Sequence, residues 1–157
     1  MSGLLLDTNA AIWFMARDEM EPEALEAIAE AQSAGVVFVS PISAWEAALA
    51  LRKPHGKPNL GGRDAAQWFR EVLRVPGLKI ANLTRRVALE AAQVPALFGS
   101  GDPGDCFLIA TAHIKKIPIV TRDRQILRFS QDRPDCSSAI LALYCVYGER
   151  HDQSVQA

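Results

Sequence analysis

Four carboxylates, Asp7, Glu46, Asp105 and Asp123, stand where a parallel α/β sheet gathers groups at one edge. Asp7 follows Leu4-Leu5-Leu6, Asp123 follows Ile119-Val120, and Glu46 lies on a helix that opens after the apolar run Val36 to Val39. Asp105 begins the helical stretch from Cys106 to Ile117. In open parallel sheets, ligands bind outside the carboxyl ends of the strands. Oxygen anions collected there repel one another, and a hard divalent cation is the simplest group that offsets the repulsion. Phosphodiester hydrolysis assisted by Mg²⁺, or by Mn²⁺, is the chemistry such a site could do.

Each carboxylate also has a plainer reading. Asp7, in Leu-Leu-Leu-Asp-Thr-Asn, could simply cap the next helix. Thr8 or Asn9 could cap equally well and leave the aspartate free. Glu46 lies about 40° from Ile42 and about 60° from Leu49 around its helix, at the edge of an expected core face of Ile42, Trp45 and Leu49. A glutamate so placed needs a counter-charge, unless its head reaches water. Asp102-Pro103-Gly104-Asp105 reads as a helix start, with Asp102 at the N-cap and proline at the first position. Both roles coexist if Asp102 caps while Asp105 faces the cavity, and Asp102 could also join the cluster. Asp123 ends one strand and precedes a short helix, so capping applies there too. His55, His113 and His151 show no ligand spacing, and no P-loop, G-x-G-x-x-G or G-x-S-x-G occurs.

The elements that must position these groups alternate along the chain. Gly3 to Asp7 reads as a buried strand, Asn9 to Met15 as a helix, and Pro22 to Ala34 as a helix with Leu25, Ile28, Ala29 and Gln32 on one face. Val36 to Val39 is a strand, and Ser40-Pro41 opens a helix to about Arg52. That helix has a second apolar side, Ala44, Ala48 and Leu51. Trp13 and Phe14 stand side by side on the first helix, where both pointing inward is not expected. Such surface suggests a partner subunit, unless the helices between residues 64 and 94 cover it. Lys53 to Gly62 is a loop, Asp64 to Leu73 a helix, Leu78 to Leu83 a strand and Thr84 to Val94 a helix. After a loop from Pro95 to Gly101 come a helix from Pro103 to about Lys116, a strand at Ile117 to Thr121 and a short helix at Gln125 to Phe129. Ala139 to Val146 fits a strand or a helix equally. The pattern predicts a three-layer α/β/α sandwich with a mainly parallel central sheet. One domain is expected over residues 1–147, with a disordered tail over 148–157.

At 157 residues the chain suits a single domain that buries about two-thirds of its unfolded surface. A net charge of −1 neither favours nor opposes a nucleic-acid partner. Segregation of charge matters more. Five glutamates crowd Glu19 to Glu30, whereas Arg122, Arg124 and Arg128 surround Asp123. Cys106, Cys136 and Cys145 form no zinc pattern and suit a reduced, cytoplasmic setting. No signal peptide opens the chain, and no apolar run reaches the ~20 residues of a membrane span.

In this order and spacing, LLLDTNAAIW (4–13), VSPISAWEAAL (39–49), GDPGDCFLIATA (101–112) and IPIVTRD (117–123) resemble the PIN-domain ribonucleases. Within them, the likeness is to the VapC-type toxins of toxin–antitoxin pairs, and it runs from about residue 3 to residue 130. The resemblance implies a metal-dependent endoribonuclease with Asp7, Glu46, Asp105 and Asp123 as its acidic set. Asp7, Asp105 and Asp123 would be metal ligands, and Asn9, Thr121 and Asp102 supporting groups. It also implies a homodimer and a cognate antitoxin. Cys106 departs from the arginine that many relatives carry after the aspartate. Arg52, Lys53, Lys57, Arg122 and Arg124 are the cations placed to hold an RNA backbone. Two other readings compete: a non-catalytic RNA- or protein-binding module of the same fold, and a phosphatase-like phosphoryl-transfer enzyme. The first is favoured by a lost carboxylate, and none is lost. The second commonly has an acid two residues after the first aspartate, where this chain has Asn9.

Overall fold

Leu4, Leu5 and Leu6 form a strand (β1, Leu4–Leu6) whose three side chains are all buried, as a central strand covered on both faces requires. The computed structural model describes residues 3–18, 20–95, 102–131 and 143–144. After β1 come helices α1 (Thr8–Ala16) and α2 (Pro22–Ser33), strand β2 (Val37–Val39), then helices α3 (Pro41–Leu51) and α4 (Ala65–Val72). Strand β3 (Leu78–Ile80) is followed by helices α5 (Arg85–Ala91) and α6 (Pro103–Lys115). Strand β4 (Ile119–Thr121), helix α7 (Arg124–Gln131) and strand β5 (Leu143–Tyr144) complete the described elements. The sheet order is β3-β2-β1-β4-β5, and every pairing is parallel.

Two cores lie on opposite faces of the sheet, and β1 divides its leucines between them. Leu4 and Leu6 join Val37 and Val39 in one, with Ala10, Ile28, Ala47 and Trp68 from α1 to α4. Leu5 joins Ile119 in the other, with Val87, Leu108, Ile109 and Ile126 from α5, α6 and α7. This alternation is the period of two that any strand imposes. The result is the expected three-layer sandwich.

Local sequence sets the helix starts. Ser40 accepts the Ile42 N–H with Pro41 at the first position of α3, and Thr84 accepts the Val87 N–H of α5. Asp64 and Gln67 form a reciprocal capping box on α4.

Three expectations about helix faces are corrected. On α2 the buried side is Ala24, Ile28 and Ala31, while Leu25 is 44% exposed. Small alanines let the helix sit close on the sheet, which the bulkier Leu25 face would not. On α3, Ile42 is buried as expected, together with Ser43 and Ala47, but Trp45 and Leu49 are 46% and 39% exposed. Ala48 and Leu51 pack instead against the core that includes Trp68 and Val72 of α4. Thus α4 covers the side expected to be free, and the free apolar side is Trp45 and Leu49. Trp13 and Phe14 both pack against the same core, each partly buried. The ambiguous run after Ala139 contributes β5 at Leu143–Tyr144; the predicted tail over 148–157 lies outside the described residues. Among the described residues, no helix is long and apolar enough to cross a membrane.

Candidate metal centre

The path of the chain explains why acidic groups converge. From β1 it moves out through β2 to β3 with α1 to α4 on one face. It then returns along the other face, through α5 and α6, to β4 on the far side of β1. The carboxyl ends of β1 and β4 therefore flank the point where the crossovers change face, where ligands bind in open parallel sheets. Asp7 directly follows β1, and Asp123 follows β4 by two residues.

Asp7 is 4% exposed and is itself the N-cap of α1: its Oδ1 accepts the Ala10 N–H at 2.6 Å. Of the two readings left open for Asp7, capping is the one observed; neither Thr8 nor Asn9 takes that place. Capping does not consume the group, since a carboxylate offers about four acceptor positions. Burial pushes Asp7 up to about 6, with Asp123 adding repulsion; the Ala10 N–H, the Thr121 hydroxyl and Arg122 pull the other way. Thr121 is fully buried and also accepts the Asp123 N–H at 2.9 Å, so it links the two strand-end aspartates. Asp123 Oδ1 caps α7 through the N–H groups of Gln125 (2.7 Å) and Ile126 (3.3 Å).

Glu46 is half-buried, and its carboxylate accepts the Thr8 hydroxyl in a close contact. Thr8 Oγ1 in turn lies 3.0 Å from Ser43 Oγ, which is fully buried. Burial raises Glu46 to about 7, with Asp102 and Asp7 repelling it and the Thr8 hydroxyl opposing. Asp105 reaches about 7 for the same first reason, and Asp123, Glu46, Asp102 and Asp7 all add repulsion. Asp105 is thus repelled by all three other predicted carboxylates and by Asp102. Asp102 caps α6 through the Gly104 N–H at 2.8 Å. Among the described residues, Glu46, Asp102 and Asp105 bring carboxylate oxygens within 4.8 Å of one another. That spacing and all-oxygen chemistry fit a hard divalent ion.

Gly104 is what lets Glu46 approach the first turn of α6. A Cβ there would collide with Glu46 Oε1 and lie 2.5 Å from its Cδ and 3.0 Å from Asp102 Oδ1. Glu46 ends a flexible side chain, so an added methyl moves the carboxylate rather than breaking the fold. Alanine also suits a helix better than glycine. Gly104→Ala is therefore expected to keep or raise the melting temperature. Loss of carboxylate placement by about an ångström should lower catalysis roughly tenfold to a hundredfold. Melting curves and cleavage rates, measured together, check this.

The remaining predicted residues divide. Lys53, Lys57, Arg122 and Asn9 line a cavity of about 450 Å³ that also includes Thr8 and Glu46. Arg122 lies over the Trp13 ring, 4.0 Å from its centroid. Arg52 is the exposed C-cap of α3, and Arg124 opens α7; neither lines the cavity. Cys106 is buried in the core beneath α6. Thr8 and Ser43 were missed by reading carboxylates alone. Their signal was present: Thr8 adjoins Asp7, and Ser43 stands one helical turn before Glu46 on α3.

A parallel three-layer fold with a carboxylate cluster at its crossover point defines the class of protein. The family model of the PIN domain matches residues 4–131, and the chain belongs to that family. A solved toxin–antitoxin complex from Klebsiella pneumoniae is similar at 18% identity, covering 77% of this chain and 87% of that chain, with a TM-score of 0.49. No curated protein matches the chain significantly.

Proposed function

We propose that the chain is a Mg²⁺- or Mn²⁺-dependent endoribonuclease acting as the toxin of a toxin–antitoxin pair. The observation that carries the nuclease reading is the mutual approach of Asp7, Glu46, Asp102, Asp105 and Asp123 at one sheet edge, three of them held near neutrality in pKa. Asp105 is common to two ligand sets: Asp7, Asp105 and Asp123 from the motif resemblance, and Glu46, Asp102 and Asp105 from oxygen spacing. When bound, the ion supplies charge stabilisation at the attacked phosphate.

The protein groups do the rest. Asp7 and Glu46 are fixed by the Ala10 N–H and the Thr8 hydroxyl, so neither carboxylate must reorganise during reaction. With its pKa near 7, a Glu46 carboxylate oxygen takes the proton of the attacking water as the new P–O bond forms. The leaving oxygen departs with the old bond's electron pair and takes a proton from solvent. Arg52, Lys53, Lys57, Arg122 and Arg124 hold the RNA backbone around the acidic centre. Purified protein incubated with labelled RNA tests the reading: cleavage in Mg²⁺ or Mn²⁺, and none in EDTA, is the expected result. Cleavage that persists in EDTA refutes the metal-dependent mechanism.

The toxin role rests on the motif resemblance, which also supplies a homodimer and an antitoxin with a basic side chain entering the acidic site; the cytoplasmic setting rests on the sparse, unpatterned cysteines. The homodimer is best placed on the exposed Trp45 and Leu49 side of α3. Light scattering should give a dimer for the wild type and a monomer for Trp45→Asp. A wild-type monomer at high micromolar concentration removes the dimer.

A further inference from the structure

The cavity beside Glu46 has a lining unlike that of the acidic centre it adjoins. Ile12, Ala50 and Pro58 contribute apolar surface, and the positive charges of Lys53, Lys57 and Arg122 outnumber the carboxylates of Asp18 and Glu46. Its volume of about 450 Å³ lies in the range of sites that enclose one small molecule. Lys53 and Lys57 have no ion-pair partner among the described residues, so their charge is not spent on the protein itself. Arg122 is steadied from one side by the Trp13 ring. Asn59 is oriented too: its Oδ1 accepts the Gly61 N–H at 3.0 Å, leaving its amide N–H groups as donors.

A phosphodiester chain faces an electrostatic difficulty at this site, because five clustered carboxylates repel it. Cations immediately beside the carboxylates offset that repulsion, and Glu46 and Thr8 belong to both the cluster and the cavity. An apolar wall next to those cations suits the face of an unstacked base, which is how single-stranded RNA is usually read.

Resting on the ribonuclease reading above, we infer that this cavity is a nucleotide subsite that seats the residue next to the cleaved bond. Its phosphate lies with Lys53, Lys57 and Arg122, and its base lies against Ile12, Ala50 and Pro58. Asn59 donates to an acceptor on the base edge, and so favours bases according to where their carbonyl and ring-nitrogen acceptors fall.

The test uses a fluorescently labelled single-stranded RNA oligomer and the full chain carrying Asp105→Asn, which keeps the RNA intact. Anisotropy gives the Kd for this parent, for added Ala50→Phe, and for added Lys53→Ala with Lys57→Ala. Both additions should weaken RNA binding about tenfold or more and leave the melting temperature at the parent's value. The lysine pair should also flatten the slope of log K against log salt by about 1.4, the release expected for two phosphate contacts on a single strand. Filling the cavity with Phe should leave that slope unchanged. An unchanged Kd in Ala50→Phe, with the protein folded, overturns the subsite even if the lysine pair weakens binding. Should Ala50→Phe fail to fold, Asn59→Ala replaces it, and unaltered preference among oligomers of different base overturns the proposal. Failure of the ribonuclease reading is seen separately, as absence of RNA cleavage by the wild-type chain in Mn²⁺.

Discussion

Asp7→Asn and Asp105→Asn should each lower RNA cleavage by at least about a hundredfold, the scale of losing one charge-stabilising group at a reaction centre. The fold should survive both. Asparagine is as good an N-cap as aspartate, so in Asp7→Asn the side-chain amide oxygen can still accept the Ala10 N–H that starts α1. What the substitution removes is a buried negative charge. Asp105 makes no cap, since Asp102 serves α6, so its replacement also spares the helix start. Cleavage rates beside circular dichroism decide the matter. Activity near that of the wild type in both variants would remove these residues from the centre.

The second large effect is an inverted dependence of stability on pH. Asp7, Glu46 and Asp105 have folded pKa values raised from 3.8, 4.5 and 3.8 to about 6, 7 and 7. Between about pH 4 and pH 7 the folded chain therefore holds protons that the unfolded chain has released. Stability from these groups is fully present below their unfolded pKa values and is lost as pH rises through the folded ones. Metal-free protein should melt lower at about pH 8 than at about pH 5, by roughly 5 °C. A divalent ion reverses the trend because it competes with those protons and binds only the folded chain. At one hundred times its Kd it adds about 2.7 kcal/mol. The rise on adding Mn²⁺ should accordingly be larger at the higher pH, and Asp105→Asn should melt above wild type there without metal. Calorimetry across this range, in EDTA and in Mn²⁺, provides the check. Metal-free stability that climbs from pH 5 to pH 8 would contradict the crowding of these carboxylates.

Much of the centre was legible because its parts sit at strand ends. Leu4-Leu5-Leu6 before Asp7 and Ile119-Val120 before Asp123 are short runs buried on both faces, and parallel strands bring their carboxyl ends to one edge. Asp102 and Asp105 flank a helix start that Pro103 marks plainly. Less legible was which side of α3 faces inward. Its composition is apolar nearly all round, so periodicity favoured the bulky Ile42, Trp45 and Leu49. Ile42 is buried as expected, but the packing of α4, a long-range event, turned Ala47 and Ala48 inward and left Trp45 and Leu49 exposed. That Asp7 itself caps α1 was one of two readings left open, because the neighbouring Thr8 and Asn9 are equally able. The place of Gly104 under Glu46 was hidden, since it depends on two segments far apart in sequence that meet only in the fold.

The central claim is that these carboxylates form a metal centre. Crystals of the wild-type chain soaked in Mn²⁺ test it most directly, by the anomalous scattering of the ion. A peak is expected among the carboxylate oxygens with Asp105 as a ligand, shared either with Asp7 and Asp123 or with Glu46 and Asp102. The peak should be absent from Asp105→Asn crystals treated alike. Well-ordered carboxylates with no ion between them in the soaked wild-type crystal would contradict the account.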